Sequence, residues 1–176
     1  MIPSLYTLPA GRETDALIAE YVMGWQREKV PPDARGNNGG TECLVPPGVH
    51  PGAPNAYQWP NVGAIPLWWF APEWSARLQP AMDLWEALAA AGWQCSLVHK
   101  QCKAEPDDRW VFHGVNRRGE RFVSFSMHAE TRELAIARGA LASVLRCAGC
   151  EVLVGFQHRP SCGRQGLVTL ESVAKS

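Results

Sequence analysis

The residues best suited to chemistry lie near the C-terminus. Cys147 and Cys150 are spaced Cys-x-x-Cys, with His158 and Cys162 downstream. Zinc takes four soft or borderline ligands in a tetrahedron, and a Cys-x-x-Cys turn supplies two at once. Cys162-Gly163 offers a second turn and His158 a fourth ligand, so zinc is the cofactor this segment would hold. The overall spacing is not a common finger spacing. The competing reading packs Cys147 at a helix end and leaves Cys150 and Cys162 as free thiols. Bound zinc would staple a tail that has little core of its own. Catalytic zinc is disfavoured, because no nearby Glu stands as an obvious base.

A second group comprises Cys95, His99 and Cys102, with Cys43 and His50 further away. On a strand, Cys95 and His99 share a face but stand about two strand steps apart, so a metal would need a ligand from elsewhere. A buried Cys and a loop His is the better reading. Carboxylates are available at Asp107, Asp108, Glu130 and Glu133. Adjacent Asp residues before a strand usually mark a solvated turn. The chain has no nucleophile elbow, phosphate loop, dinucleotide fingerprint or His-Glu-x-x-His motif. No catalytic residue is expected, and a binding role is favoured over an enzyme.

Binding chemistry is concentrated in the aromatic run from Tyr57 to Trp74. The chain has 8 tryptophans, and Trp59, Trp68, Trp69, Trp74 and Trp85 fall in one short region. Such rings anchor both cores and partner surfaces. Trp69 and Trp74 are expected to fold back onto the protein. Tyr57, Trp59 and Trp68 are the candidates for a partner surface or a pocket for a planar ligand. Arg117 and Arg118 are expected at a hairpin tip, where they could meet phosphate or simply be solvated.

These residues need a scaffold. A first helix is expected from about Pro9 to Gln26, with Leu17, Ile18, Tyr21, Val22 and Trp25 on one face. Residues 30–71 show no sustained period and are rich in Pro and Gly, so they read as a long loop insertion. A second helix should begin near Gln79, burying Leu78, Met82, Trp85, Leu88 and Ala89. Ser75 is its expected cap, Pro80 an interruption and Gly92 its stop. Three strands follow at Trp93–His99, Arg109–Val115 and Arg121–His128. Their alternation predicts an antiparallel sheet with Val123, Phe125 and Met127 turned to the core. A third helix over about Thr131–Cys147 carries Ala135, Gly139, Ala140 and Ala142, small enough for close packing on that sheet. The tail allows a small extra hairpin.

Three segments carry a family resemblance. The run Ala10-Gly-Arg-Glu-Thr-Asp-Ala-Leu-Ile-Ala-Glu-Tyr-Val-Met-Gly-Trp25 is the first. Pro72-Glu-Trp-Ser75 leading into Ala81-Met-Asp-Leu-Trp85 is the second. Phe122–Phe125 followed by Glu130–Leu145 is the third. In that order they resemble the phage ABA sandwich domain, found in small tailed-phage and prophage proteins, over residues 10–29 and 67–146. Segment 30–66 looks longer than the family's linker, Pro80 departs from its second helix, and residues 147–176 have no counterpart. The resemblance implies a fold and a phage origin, and no site residues.

The expected architecture is therefore α+β: a three-stranded antiparallel sheet with helices packed around it, and on both of its faces, as an α/β/α sandwich. Residues 1–146 would form the domain and 147–176 an extension. The 176 residues are 46% hydrophobic, with 17 basic and 17 acidic side chains. Such a chain can bury a core, and its charge balance points to neither nucleic acid nor an anionic membrane. No apolar run reaches the roughly 18 residues of a membrane span, and no signal peptide is seen. The 6 cysteines then read as reduced thiols or metal ligands in a host bacterial cytoplasm. The leading expectation is a phage-encoded, non-catalytic binding protein, acting on a host component such as a defence complex. A binder of a small nucleotide-like ligand and a zinc-stapled structural or nucleic-acid module are the alternatives.

Overall fold

The computed structural model describes residues 5–29, 42–47, 72–100 and 109–146. A short 3-10 turn at Leu5–Thr7 precedes α1 (Arg12–Leu17), which widens into a π-helical turn over Ile18–Val22. The widening shows in the Met23 N–H, which donates to Ile18 O at 3.0 Å, five residues back. Helix one is thus shorter than its apolar spacing predicts. Gly24, at φ 70°, turns the chain into β1 (Gln26–Lys29). Strand β1 pairs antiparallel with β2 (Glu42–Val45), so the expected loop from residue 30 contains a strand.

Helix α2 spans Leu78–Ala90. Pro80 is its third residue, where the N–H has no intrahelical acceptor, so the helix passes through it intact. Ser75 does not cap it: the N-cap is Arg77, with no side-chain capping bond. The buried stripe is Ala81, Leu84 and Leu88, while Leu78 is exposed, so the helix is rotated from the expected face. Gly92, at φ 84°, closes the helix as expected.

The main sheet is antiparallel with strand order β3-β4-β5 (Gln94–His99, Trp110–Arg118, Arg121–Ala129). Register sets Cys95, Gly114 and Phe125 in one row and Leu97, Phe112 and Met127 in the next. Val123, Phe125 and Met127 are buried, as their alternation predicts. The final helix, α3 (Arg132–Val144), opens on Thr131, whose Oγ1 accepts from the Leu134 N–H at 3.2 Å. It is buried from Leu134 to Ser143. A helix with small and apolar residues on all sides can sit centrally. One side of α3 meets β4 and β5, and others meet α2 and the α1 segment.

The described residues thus have the expected α+β fold with a three-stranded antiparallel sheet. The layering is one-sided. Trp85 of α2 meets Phe112 edge-on at 5.1 Å, and Gly139 of α3 lies against the same ring, so both helices touch one sheet face. The other face has no helix over it among the described residues, where a helix was expected. No helix among them is long and apolar enough to cross a membrane.

Candidate functional site

Most residues singled out for chemistry lie outside the described residues. Tyr57, Trp59 and Trp68 do, and so do Cys147, Cys150, His158 and Cys162, with Trp69, His50, Cys102, Asp107 and Asp108. Arg117 and Arg118 are described as the last two residues of β4. The reversal itself is Gly119-Glu120, with Arg118 opposite Arg121 and Gly119 at φ 62°. Arg117 is therefore on the sheet rather than in the turn, and its Nε donates to Gly119 O at 3.0 Å.

The remaining candidates have structural settings. Trp74 is buried and meets Trp25 edge-on, with ring centres 6.0 Å apart, so it does fold back. Cys95 is half-buried, and burial pushes its thiol up from the ordinary value. His99 shares its face and lies against the Trp110 ring, 4.6 Å away. Glu133 pairs with Arg132 at the start of α3. Among the described residues no three metal-ligating side chains come together.

What the sequence reading missed is the outer sheet face. Register places Gln94, Val115 and Ser124 in one row, Ser96, His113 and Ser126 in the next, and Val98, Val111 and His128 in a third. Arg117 stands opposite Phe122 at the hairpin end. Phe122 is 73% exposed, Val98 47% and Val115 39%. Single exposed apolar residues are ordinary; Phe122 and Val115 are diagonal neighbours on this face, while Val98 stands two rows from Val115 on the far strand. Val111 differs: it is only 2% exposed and lies between Val98 and His128. The signal was present in the alternation, which sets Phe122 on the side of Ser124 and Ser126.

No protein-family model matches this chain, and no curated protein or solved structure is detectably similar to it. The site therefore rests on its own geometry. Beside the outer face, where β5 ends, is a cleft of about 370 Å³. Tyr6, Thr7, His128, Glu130, Leu134 and Arg138 line it. Arg138 is 8% exposed, and its Nε and Nη2 both donate to Leu8 O while Nη1 donates to His128 O. A second cleft, of about 390 Å³, lies between the C-terminal ends of α2 and α3 against Trp93.

Proposed function

We propose that this chain is a non-catalytic binding protein that meets a protein partner through the outer face of the β3-β4-β5 sheet. The observation that supports it is the exposure of Phe122 beside Val115 and Arg117 on a face that no described helix covers. Aromatic and Arg side chains dominate binding energy at protein interfaces. On the phage resemblance, the proposed setting is the cytoplasm of an infected or lysogenic bacterium, and the proposed target a host component such as a defence complex.

The test substitutes a photo-crosslinking amino acid for Phe122 and, as a control, for exposed Glu86 on α2. Irradiation of cells expressing each version should yield a discrete adduct from position 122 and none from position 86. Equal adducts, or none, would count against the reading.

A second reading has one observation in its favour. The cleft at Tyr6, His128 and Arg138 falls in the size range of small-ligand pockets, roughly 300–1,000 Å³. A thermal-shift screen with mononucleotides would raise the melting temperature of the wild type and not of Tyr6→Ala; no shift with any nucleotide removes this reading.

A further inference from the structure

We propose that the edge strand β3 pairs with β3 of a second copy of this chain, antiparallel across a two-fold axis at Leu97, so that two three-stranded sheets become one continuous sheet. This contact is separate from the outer face and does not depend on the role proposed for it.

The argument begins with a difference between the two edges of the sheet. On β5, the carbonyls of Ser124 and His128 accept from Arg146 Nη2 and Arg138 Nη1, so that edge is already engaged by side chains reaching from α3. Strand β3 has no such guard. It holds register with β4 without a bulge from Gln94 to His99, and no described strand lies on its other side. Its residues, Gln-Cys-Ser-Leu-Val-His, include no Pro, Gly, Asp, Glu, Lys or Arg. Edges are usually blunted by charge, Pro or a bulge, and an edge lacking all three is a template for another strand.

Burial points the same way. On the inner face of the sheet, Phe112 and Phe125 of β4 and β5 are buried, and so is Met127. In the same rows Cys95 and Leu97 of β3 are only half-buried, although both pack against the core. A further strand beside β3 would complete their burial.

The backbone fixes how that strand must lie. The Lys100 N–H donates to Arg109 O at 2.8 Å. Alternate residues of an antiparallel strand turn their N–H and C=O to the same neighbour. Gln94, Ser96, Val98 and Lys100 therefore bond to β4, and Cys95, Leu97 and His99 turn theirs outward. A two-fold axis at Leu97 uses all three outward residues. Leu97 then meets Leu97 of the second copy, and Cys95 meets its His99. Between them Ser96 meets Val98, and Lys100, just past the strand, meets Gln94. No like charges stand opposite each other, and every outward residue finds a partner. This fit of the strand to itself, in backbone phase and in charge, selects a second copy as the occupant.

Sedimentation equilibrium of the full-length chain should give twice the chain mass, falling towards one chain on dilution. Ser96 and Val98 are exposed on the outer face, so changing them leaves the core intact. The double variant Ser96→Lys, Val98→Lys sets Lys against Lys on both sides of the axis. It should weaken the dimer about tenfold or more while keeping the wild-type circular dichroism spectrum, and each single variant, which avoids that opposition, should weaken it less. Oxidising a mixture of Ser96→Cys and Val98→Cys chains should give a covalent dimer that neither gives alone, because only the mixture sets two new thiols opposite each other. A wild type that keeps one chain mass at its highest soluble concentration would overturn the proposal. So would a dimer indifferent to the double Lys variant, or crosslinking by either Cys variant alone. A dimer lost with Phe122→Ser would overturn it by placing the contact on the outer face.

Discussion

The Ser75 backbone N–H donates to Asp15 Oδ1 at 2.9 Å, joining α1 to a turn 60 residues away. The Gly11 N–H donates to Ser75 Oγ at 2.9 Å, so the contact is reciprocal. Asp15 is 1% exposed, and its Oδ2 has no hydrogen-bond partner among the described residues. Burial raises the carboxyl above its ordinary 3.8; the bonds from Ser75 and the nearby Arg12 oppose this, and Glu73 adds to it. Between 3.8 and the raised value the folded chain holds more protons than the unfolded one. Stability contributed by this group is therefore greatest below the ordinary value and falls as pH rises through that window. Asp15→Asn keeps an oxygen for Ser75 and cannot ionise. Urea unfolding of both proteins from about pH 4 to 7 should show a smaller downward slope in the variant; identical slopes would contradict the assignment.

Gly139 marks the closest approach of α3 to the sheet. A Cβ there would lie 2.3 Å from Phe112 Cδ1 and 2.8 Å from Phe125 Cε2. Both rings are buried and pack on each other with centres 5.7 Å apart, so neither can swing away freely. Ala in a helix interior usually gains about 0.5–1 kcal/mol over Gly. Overpacking typically costs about 1–3 kcal/mol, and with two rings in the way it should win. Gly139→Ala is expected to lower the urea midpoint without changing the slope of the transition. A raised midpoint would show that α3 is free to shift outward.

The sheet and α3 were legible because they obey simple periods. Val123, Phe125 and Met127 alternate with Ser124 and Ser126, and small residues in α3 permit its close seat on Phe112. Helix one was misjudged at its end, since Trp25 continues the apolar spacing although Gly24 has already turned the chain. Ser75 looked like a cap by type, yet its hydroxyl serves Gly11 from a distance; sequence neighbours hold no record of such a partner. Phe122 was the largest misreading. An apolar residue on the mixed face suggested a covering helix, whereas α2 and α3 share the opposite face. The candidate zinc ligands and the aromatic residues up to Trp69 lie outside the described residues, so the outer face had to be found from register and exposure.

Helix α2 begins with an avoidable defect. Its N-cap, Arg77, has extended backbone angles suited to capping but a side chain that caps nothing. That side chain pairs instead with Glu73 at the surface. Exposed pairs contribute about 0–1 kcal/mol, while Asp or Ser at an N-cap is worth roughly 1 kcal/mol over a non-capping residue. An Asp here also meets the positive end of the helix dipole, although it faces Glu73. Arg77→Ser avoids that repulsion and should raise the thermal midpoint by a few degrees. The mirror experiment, Thr131→Ala at the start of α3, should lower it, because the hydroxyl that accepts from Leu134 is lost.

Arg138 gives the sharpest separation between charge and shape. Its guanidinium bridges Leu8 O on the N-terminal segment and His128 O on β5, using three nitrogens from within α3. A planar fork can serve both carbonyls at once, whereas a Lys ammonium is a single point donor on a flexible stem. Arg138→Met removes the donors and leaves both carbonyls to be satisfied elsewhere. Charged hydrogen bonds of this kind contribute about 1.5–3 kcal/mol, so Met should destabilise the fold by a comparable amount, with Lys recovering part of it. The N-terminal segment should loosen first, because Leu8 depends on this side chain across 130 residues of sequence. Hydrogen exchange should therefore show faster amide exchange at Leu5–Leu8 in Arg138→Met, with β4 least affected. Uniform loosening of the whole sheet, or none at Leu8, would mean that Arg138 does not hold the N-terminal segment in place.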